Sequence, residues 1–532
     1  MTNIEVTYEN IPTGSMADST TAITDARNYS TNFVNLNDFK TYRDVPKYAT
    51  FEEGRNKLDG SFINVPSNPK GYGYISTMAT GSDKNFASNI VITRTYSNTY
   101  SAAGLSIQFD TWTDDHPNTM NVKWYRGDTV IEDQTYTVDS ANYFCNTPVV
   151  AYNKIVITIG NMTKAYRMLK IYNISDGITR QFYNDEVVNA DIIEQITNNG
   201  QAVNISESNL TIIPATTAGV FFQRTLPVEI RRNNVLYGKY FIDTSTSNTD
   251  KTLYKIKVCD GIKTLEGQSY LGGIYNNVTM ATLVAEIMGD IDYTLDGTAA
   301  AYTISGYLPI SNKREALKQV MFCTNTYADT SRSDKIQIKR LPTTVSRTVG
   351  KSDIISIQTT QENITTKIQL KTTTLVTKKR TQVDDLYEGK IKNKTISVIF
   401  DNPMFDLEIT GGTIVESNCN YAIITGTANT TTLSGKEYQM AEAVEEKVNP
   451  YTVTTDIEKI DEYETTLVCD SINILDLMQF VEFKIKSVFK MSSSKIADLI
   501  TLNGKECRIT SLDYDLKQTE IYANVGLEAY YE

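Results

Sequence analysis

Histidine is almost missing from this sequence: His116, within Asp114-Asp115-His116-Pro117, is the only one. A Ser-His-Asp or Cys-His arrangement would have a single base available in the whole chain. Zinc peptidases and zinc amidases, which need His-Glu-x-x-His or an equivalent set, are excluded. A lone His in an acidic turn could hold a cation, but a surface loop is the simpler expectation. The six cysteines, Cys145, Cys259, Cys323, Cys419, Cys469 and Cys507, are scattered, with no Cys-x-x-Cys pair. That removes zinc ribbons and dithiol redox motifs. Free cysteines in strand-like runs such as Lys257-Val258-Cys259 behave as small buried hydrophobes, which suits a reducing compartment.

Glycine-rich nucleotide loops are absent too. Gly71-Tyr72-Gly73-Tyr74 lacks the third glycine and following helix of a dinucleotide fold, and no Walker loop occurs. Leu271-Gly272-Gly273-Ile274 reads as a tight turn. Asp290-Ile291-Asp292 lacks the other ligand positions of a calcium loop. Glycoside hydrolysis needs only two carboxylates, and these are plentiful, so counting leaves that chemistry open. The sugar-stacking aromatics that usually accompany it are scarce. There are two tryptophans, Trp112 and Trp124, both on alternating strands where core packing competes with a carbohydrate contact. No residue is assigned a catalytic, cofactor or metal role, and the binding residues are not identifiable from sequence.

Basic residues are in deficit: 51 Lys and Arg against 63 Asp and Glu give a net charge of -12. Proteins that grip nucleic acid neutralise phosphates with clustered cations. The longest basic run here, Lys378-Lys379-Arg380, reads as a solvated loop. An acidic surface repels DNA, as befits a conduit rather than a binder. No apolar run approaches the ~20 residues of a membrane-spanning helix. The start, Met1-Thr2-Asn3-Ile4-Glu5-Val6, has no basic head or apolar stretch, so a soluble protein that leaves the cell by lysis is expected.

What is present is a strand-forming composition rich in Thr, Asn, Ile, Val and Tyr, with 33 tyrosines. Over 532 residues, at about 150 residues per domain, three or four domains are expected. Period-two alternation recurs at Leu105, Ile107 and Phe109, at Ile155, Ile157 and Ile159, and at Ile364, Ile368 and Leu370. Residues 1–45 are polar and read as an extended arm. Residues 46–175 read as an antiparallel β-sandwich, with a hairpin from Val122-Lys123-Trp124-Tyr125 to Val130-Ile131.

Residues 176–345 read as mixed α and β, with strands over 227–231, 238–243 and 253–259. One helix is expected from the N-cap Thr279 through Leu283, Val284 and Ile287 to Gly289. A second starts at Asn312 with Glu315 at capping-box spacing, and carries Leu317, Val320 and Met321 on one face. Residues 346–532 return to strands, with helix candidates at 474–480 and 492–500, an acidic loop at 456–464, and a final hairpin from 507–516 to 519–527. The expected class is mainly β with α+β portions, multidomain.

The middle of the chain also resembles a known family. The segments are Leu226-Pro227-Val228-Glu229-Ile230, Tyr237-Gly238-Lys239-Tyr240-Phe241-Ile242-Asp243, and Tyr254-Lys255-Ile256-Lys257-Val258-Cys259-Asp260-Gly261. They continue through Tyr270-Leu271-Gly272-Gly273-Ile274-Tyr275 and Tyr307-Leu308-Pro309-Ile310-Ser311. The sharpest are Arg314-Glu315-Ala316-Leu317-Lys318-Gln319-Val320 and Asp329-Thr330-Ser331-Arg332-Ser333-Asp334-Lys335-Ile336. Upstream, Tyr48-Ala49-Thr50-Phe51-Glu52 and Leu58-Asp59-Gly60-Ser61-Phe62 are similar to the lead-in of the same family.

Together, over about 46–345, they resemble baseplate-hub and tail-tip proteins of Firmicutes phages, prophages and phage-tail-like particles. The resemblance implies hub-type β-barrel domains covered by short helices, at 176–345 and 346–532, with the sandwich as an accessory domain. It further implies a non-enzymatic subunit, a homotrimer capping the tail tube. Its partners would be tube, distal tail or baseplate, spike or tail-tip, and tape-measure proteins. Specific nucleic-acid binding and membrane insertion are not expected. Such a subunit assembles in the bacterial cytoplasm and ends in the virion tail or tail-like particle. A glycan-binding tail adhesin, suggested by the tryptophan-bearing sandwich, and a tail-associated glycosidase are the competing readings.

Overall fold

The computed structural model describes residues 3–25, 49–50, 52, 55, 59, 74–110, 113–197, 202–215, 222–361, 364–377, 383–452 and 458–531. Strands account for 59% of the structure and helix for 8%, so the chain is mainly β, as its composition implies. Thirteen strands form one sheet that curls into a half-barrel. Its main path begins Ile178–Tyr183, Ile4–Asn10, Pro227–Arg232, Val235–Ser247, Tyr254–Asp260 and Glu207–Ile212. It continues Val187–Gln195, Lys505–Asp515, Tyr522–Tyr530, Val481–Lys490 and Ile354–Thr360. The inner face carries Val6, Ile192, Leu210, Ile230, Val258, Ile509, Leu512 and Val525, all buried in one core. Each such side chain contributes roughly 1.5–3 kcal/mol by leaving water.

The chain leaves this sheet three times. Between Ile4–Asn10 and Ile178–Tyr183 it builds the sandwich. Between Tyr254–Asp260 and Val345–Val349 it builds a helical unit, and between Ile354–Thr360 and Val481–Lys490 a set of small three-stranded sheets. The first and third excursions are each closed by antiparallel pairing of their flanking strands, Glu5 opposite Tyr183 and Ile354 opposite Phe489. The expected division at 175/176 and 345/346 does not follow this arrangement. The sheet draws strands from residues 4–10, 178–260, 345–360 and 481–530, so both boundaries fall within one packed body.

The N-terminal expectation is corrected as well. Ile4–Asn10 is not part of an arm: it lies inside the sheet, paired to Ile178–Tyr183 on one side and Pro227–Arg232 on the other. Ile4, Val6 and Tyr8 are buried, and so are Glu5 and Thr7 on the opposite side of the strand. Gln181 donates to Glu5 at 2.9 Å, which is why polar residues are tolerated there. Ser19–Ile23 then joins the sandwich by pairing with Asn85–Ala102. Residues 26–48 of the expected arm lie outside the described residues.

The sandwich has a five-stranded sheet of Ser19–Ile23, Asn85–Ala102, Val149–Asn161, Thr119–Arg126 and Thr129–Thr137. The expected hairpin is the Thr119–Arg126 and Thr129–Thr137 pair. Ile155, Ile157 and Ile159 point into its core with Trp124 and the Leu105–Phe109 stripe.

Both helices form where the caps place them. Thr279 accepts from the Thr282 amide and Gly289 ends Met280–Met288. Asn312 accepts from the Glu315 amide at 2.9 Å, opening Lys313–Cys323. Two other expectations differ. Residues 492–500 are not helical; they turn and enter the strand Leu499–Leu502, with Asp498 accepting the Lys495 amide at 2.8 Å. Such side-chain bonds compete with the helical ladder. The acidic stretch ends in a strand, Ile460–Thr465, that pairs in parallel with Lys367–Val376, where Lys371 neutralises Glu464.

Buried charge fixes the sandwich to the segment preceding it. Glu52 accepts from Lys170 Nζ at 2.7 Å and from the Met168 amide at 2.8 Å, and Arg55 pairs with Asp110. Lys170 is fully buried, and burial pulls its ammonium down to about 8 against the raising effect of Glu52. Lys170→Met should lower stability by about 3 kcal/mol, because it strands a buried carboxylate. Adding Glu52→Gln should restore most of that loss. Calorimetric melts of the full chain check this; equal melting points for the single and double variants would refute it.

Candidate functional site

Sequence pointed to a chain without catalytic machinery, and the structure places each candidate accordingly. His116 is buried, not on the surface as expected. Its Nδ1 lies 2.9 Å from the Pro117 carbonyl, and its own carbonyl accepts from Thr163. The neighbouring Asp115 is drawn inward by Lys164 at 2.8 Å and Arg167 at 3.6 Å, which converts an apparent acidic surface turn into a packed corner. All six cysteines are free and buried. Among the described residues no group of His, Cys, Asp or Glu could hold a metal ion.

Trp124 is 1% exposed and fills the sandwich core, so it is not a carbohydrate platform. Trp112, Gly71 to Gly73, and the Lys378-Lys379-Arg380 run lie outside the described residues, as does most of the 48–62 stretch. Gly272 and Gly273 do make the expected tight turn, at φ 63° and 154°. A Cβ on Gly272 would sit 2.1 Å from the Leu308 carbonyl, so only glycine fits. No helix among the described residues is long and apolar enough to cross a membrane.

The segments that carry the family resemblance converge on one junction between the helical unit and the sheet. Asp260, at the end of a central strand, caps the helix Gly261–Leu265 by accepting from the Ile262 amide at 3.1 Å. Its other oxygen accepts from the Ser206 amide at 2.9 Å and the Thr330 hydroxyl at 2.7 Å. Asp329 pairs with Lys339 at 2.7 Å and accepts from the Ser331 amide. Arg332 donates from its backbone to the Tyr237 carbonyl, reaches the Ser494 carbonyl with its guanidinium, and stacks over the Tyr237 ring at 5.6 Å. These residues form a joint.

Two carboxyls in this joint are held out of their usual range. Burial pushes Glu194 up to about 7, opposed by Arg332, and pushes Asp260 up to about 6 in spite of its hydrogen bonds. Glu194 accepts from the Tyr514 hydroxyl at 2.9 Å through one oxygen. A general acid for glycoside cleavage needs a raised carboxyl that also meets substrate. Glu194 and Asp260 are both 0% exposed, so they satisfy only the first condition.

The surface offers sheet edges. Ile354–Thr360, the strand at one end of the curled sheet, reads Ile-Ile-Ser-Ile-Gln-Thr-Thr, with no charge and no proline. It is exposed along nearly its whole length, and Ile355 is 65% exposed. Natural edge strands are normally blunted by lysine, proline or a cover, because unpaired amides and carbonyls invite pairing. A second surface is the ribbon of Gln439–Val448, Lys367–Val376 and Ile460–Thr465. On one of its faces Lys371 lies between Glu442 at 2.9 Å and Glu464 at 3.3 Å, beside exposed Met440, Val444 and Val448. Sequence reasoning missed the edge strand, since period and composition do not tell a terminal strand from an interior one.

The raised Glu194 carboxyl makes the joint pH-sensitive. The folded state binds this proton more tightly than the unfolded chain, so the contribution is full below about 4.5 and is lost as pH rises toward about 7. Its size is on the order of 3 kcal/mol across that window. The melting point should fall from about pH 5 to about pH 7.5, and Glu194→Gln should flatten that fall, leaving the smaller part due to Asp260. Differential scanning calorimetry over a pH series decides, and parallel slopes for the two proteins would contradict the assignment.

No family model and no curated protein matches this sequence. Solved structures do show a likeness. The chain is similar to a prophage tail protein from Listeria monocytogenes, with a TM-score of 0.41 and 7% identity, covering 66% of this chain and 91% of that one. It is similar to a tail protein from Neisseria meningitidis, with a TM-score of 0.40 and 7% identity, over 66% of this chain and 94% of that one. It is also similar to a prophage 43 kDa tail protein from Shewanella oneidensis, with a TM-score of 0.38 and 8% identity, over 65% of this chain and 95% of that one. At these scores each likeness is partial.

Proposed function

We propose that this chain is a structural subunit of a phage tail or phage-tail-like particle, a hub or tip component that caps the tube as a trimer. The observation that carries the assembly role is the uncharged, exposed strand Ile354–Thr360, which ends the curled sheet without a protecting charge or cover. A strand of this kind can continue its sheet into a neighbouring subunit, with main-chain hydrogen bonds providing affinity. The tail context and the threefold stoichiometry rest on the sequence resemblance of the 226–336 segments. The joint built by Asp260, Thr330 and Arg332 supports that reading, since it gives the resembling residues a shared task in packing. The net charge of -12 is compatible with a lumen along which DNA slides without sticking. Tube, distal tail, spike and tape-measure proteins are the partners this role calls for.

The reading is tested by placing charge on the edge. Ile355 and Ile357 are exposed, so Ile355→Lys with Ile357→Lys should leave the fold intact. The wild-type protein should run as a trimer by light scattering and show rings by electron microscopy, and the double variant should be shifted to monomer by at least tenfold weaker association. A wild-type chain that stays monomeric and fails to join tails in a complementation assay would overturn the proposal.

A further inference from the structure

A cleft of about 360 Å³ opens where the sandwich meets the strand Ile178–Tyr183 of the central sheet. Its floor is a three-stranded sheet of Leu105–Gln108 flanked by Asn142–Cys145 and Asn173–Ser175. The register aligns three carboxamides in one row, Gln108 lying opposite both Asn142 and Asn173. One step along, Ser106 lies opposite Phe144 and Ser175. Period-two alternation puts these two rows on one side and sends Ile107 and Ile174 into the sandwich core. Phe144 packs toward the core of the central sheet instead, which confirms the direction the floor faces.

Ser106 is used to build the cleft. Its hydroxyl donates to the Gly177 carbonyl at 2.7 Å and accepts from the Thr179 amide at 3.0 Å, fixing the opposite wall. Gln108 is different. It is 3% exposed and lines the cleft, and neither its Nε2 nor its Oε1 has a hydrogen-bond partner in the protein. The Thr179 hydroxyl, on the facing wall, has none either. A buried carboxamide left unpaired is costly, and such groups persist where something outside the protein satisfies them.

We propose that this cleft binds a neutral saccharide. A sugar hydroxyl both donates and accepts, and the Gln108 carboxamide offers two donors and an acceptor from a single side chain. The half-buried Phe144 ring supplies an apolar surface for the C–H face of a sugar. Burial weakens the Arg180 guanidinium at the rim while Glu186 supports its charge, so the cation is already matched and an anionic ligand gains little. The volume lies in the range of small-molecule sites and suits one ring better than a chain. The strand Leu105–Gln108 is paired on both sides, so it offers no free ladder to a peptide backbone. This site is independent of the tail reading and of the sandwich tryptophans.

Saturation-transfer NMR and calorimetry on the full chain, with glucose, galactose, rhamnose and N-acetylglucosamine as probes, test it. At least one of these should bind. Gln108→Leu should weaken it by at least about tenfold while keeping or raising the melting point, since an unpaired amide is replaced by an apolar group of similar size. Asn142→Ala, an exposed change at the mouth, should weaken it without touching the core. The proposal fails if none of the four sugars binds, or if binding is unchanged in both variants. It also fails if glucuronate or trialanine binds as well as the neutral sugars, or if Gln108→Leu destabilises the protein in the absence of sugar binding.

Discussion

The architecture depends on the antiparallel closure of Ile4–Asn10 against Ile178–Tyr183. Those strands are separated in sequence by the whole sandwich, yet Glu5 faces Tyr183 and Asn10 faces Ile178 across a single ladder. An inserted domain is compatible with a continuous sheet only if its two ends emerge side by side, at strand spacing. The sandwich meets that condition through buried polar contacts at its base. Arg94 pairs with Asp176 at 3.2 Å, and Tyr96 donates to the same carboxylate at 2.7 Å. Arg94 also reaches Ser19 at 3.0 Å, which ties in the strand that follows the N-terminal one. Loop-closure entropy grows only logarithmically with the length enclosed, so a long insertion costs little more than a short one once its ends are fixed. The Ile354–Thr360 and Val481–Lys490 pair repeats this solution at the opposite end of the sheet.

Much of this was legible in the sequence, and the failures have physical causes. The helices at 280 and 313 were readable because their stop and start signals are local: Thr279, Gly289 and Asn312 act on amides three residues away or less. The sandwich strands were readable because one face of each is apolar. Ile4 to Tyr8 alternates in the same manner, but the polar stretch that follows diluted the signal, and its polar face is buried by partners about 175 residues away. His116 was misplaced for a related reason. The acidic residues beside it look solvated until Lys164 and Arg167 are brought to Asp115 by the fold. The 492–500 segment has helix-like apolar spacing, and its Asp498 carboxylate redirects the backbone. Local codes were read correctly; charge partners distant in sequence were not.

The candidate sites were less legible than the fold. The segments that carry the family resemblance contain no chemistry, and the structure explains why they form a recognisable set: Asp260, Thr330, Arg332 and Tyr237 meet at one buried joint. Burying carboxyls there is tolerable only with donors already in position, and this couples the helical unit to the curled sheet more tightly than apolar packing alone would. The cleft was invisible for another reason. Its row of carboxamides is assembled from three strands, and no single strand shows more than one member.

The two ends of the curled sheet have opposite characters, and that difference restricts how copies can meet. At one end Ile178–Tyr183 is folded over by the sandwich and lines a cleft with Arg180 nearby, so that edge is both covered and charged. The three-stranded ribbon elsewhere carries alternating Lys and Glu partners, which disfavour an unmatched strand. Ile354–Thr360 has none of these defences. A molecule with one open edge and one closed edge cannot extend its sheet from copy to copy edge-to-opposite-edge without disrupting the sandwich junction. It can pair its open edge only with a different surface of the next copy or with another protein. Such an unlike-surface contact closes into a ring when the rotation between copies divides a full turn, and otherwise leaves an edge for a different partner to cover.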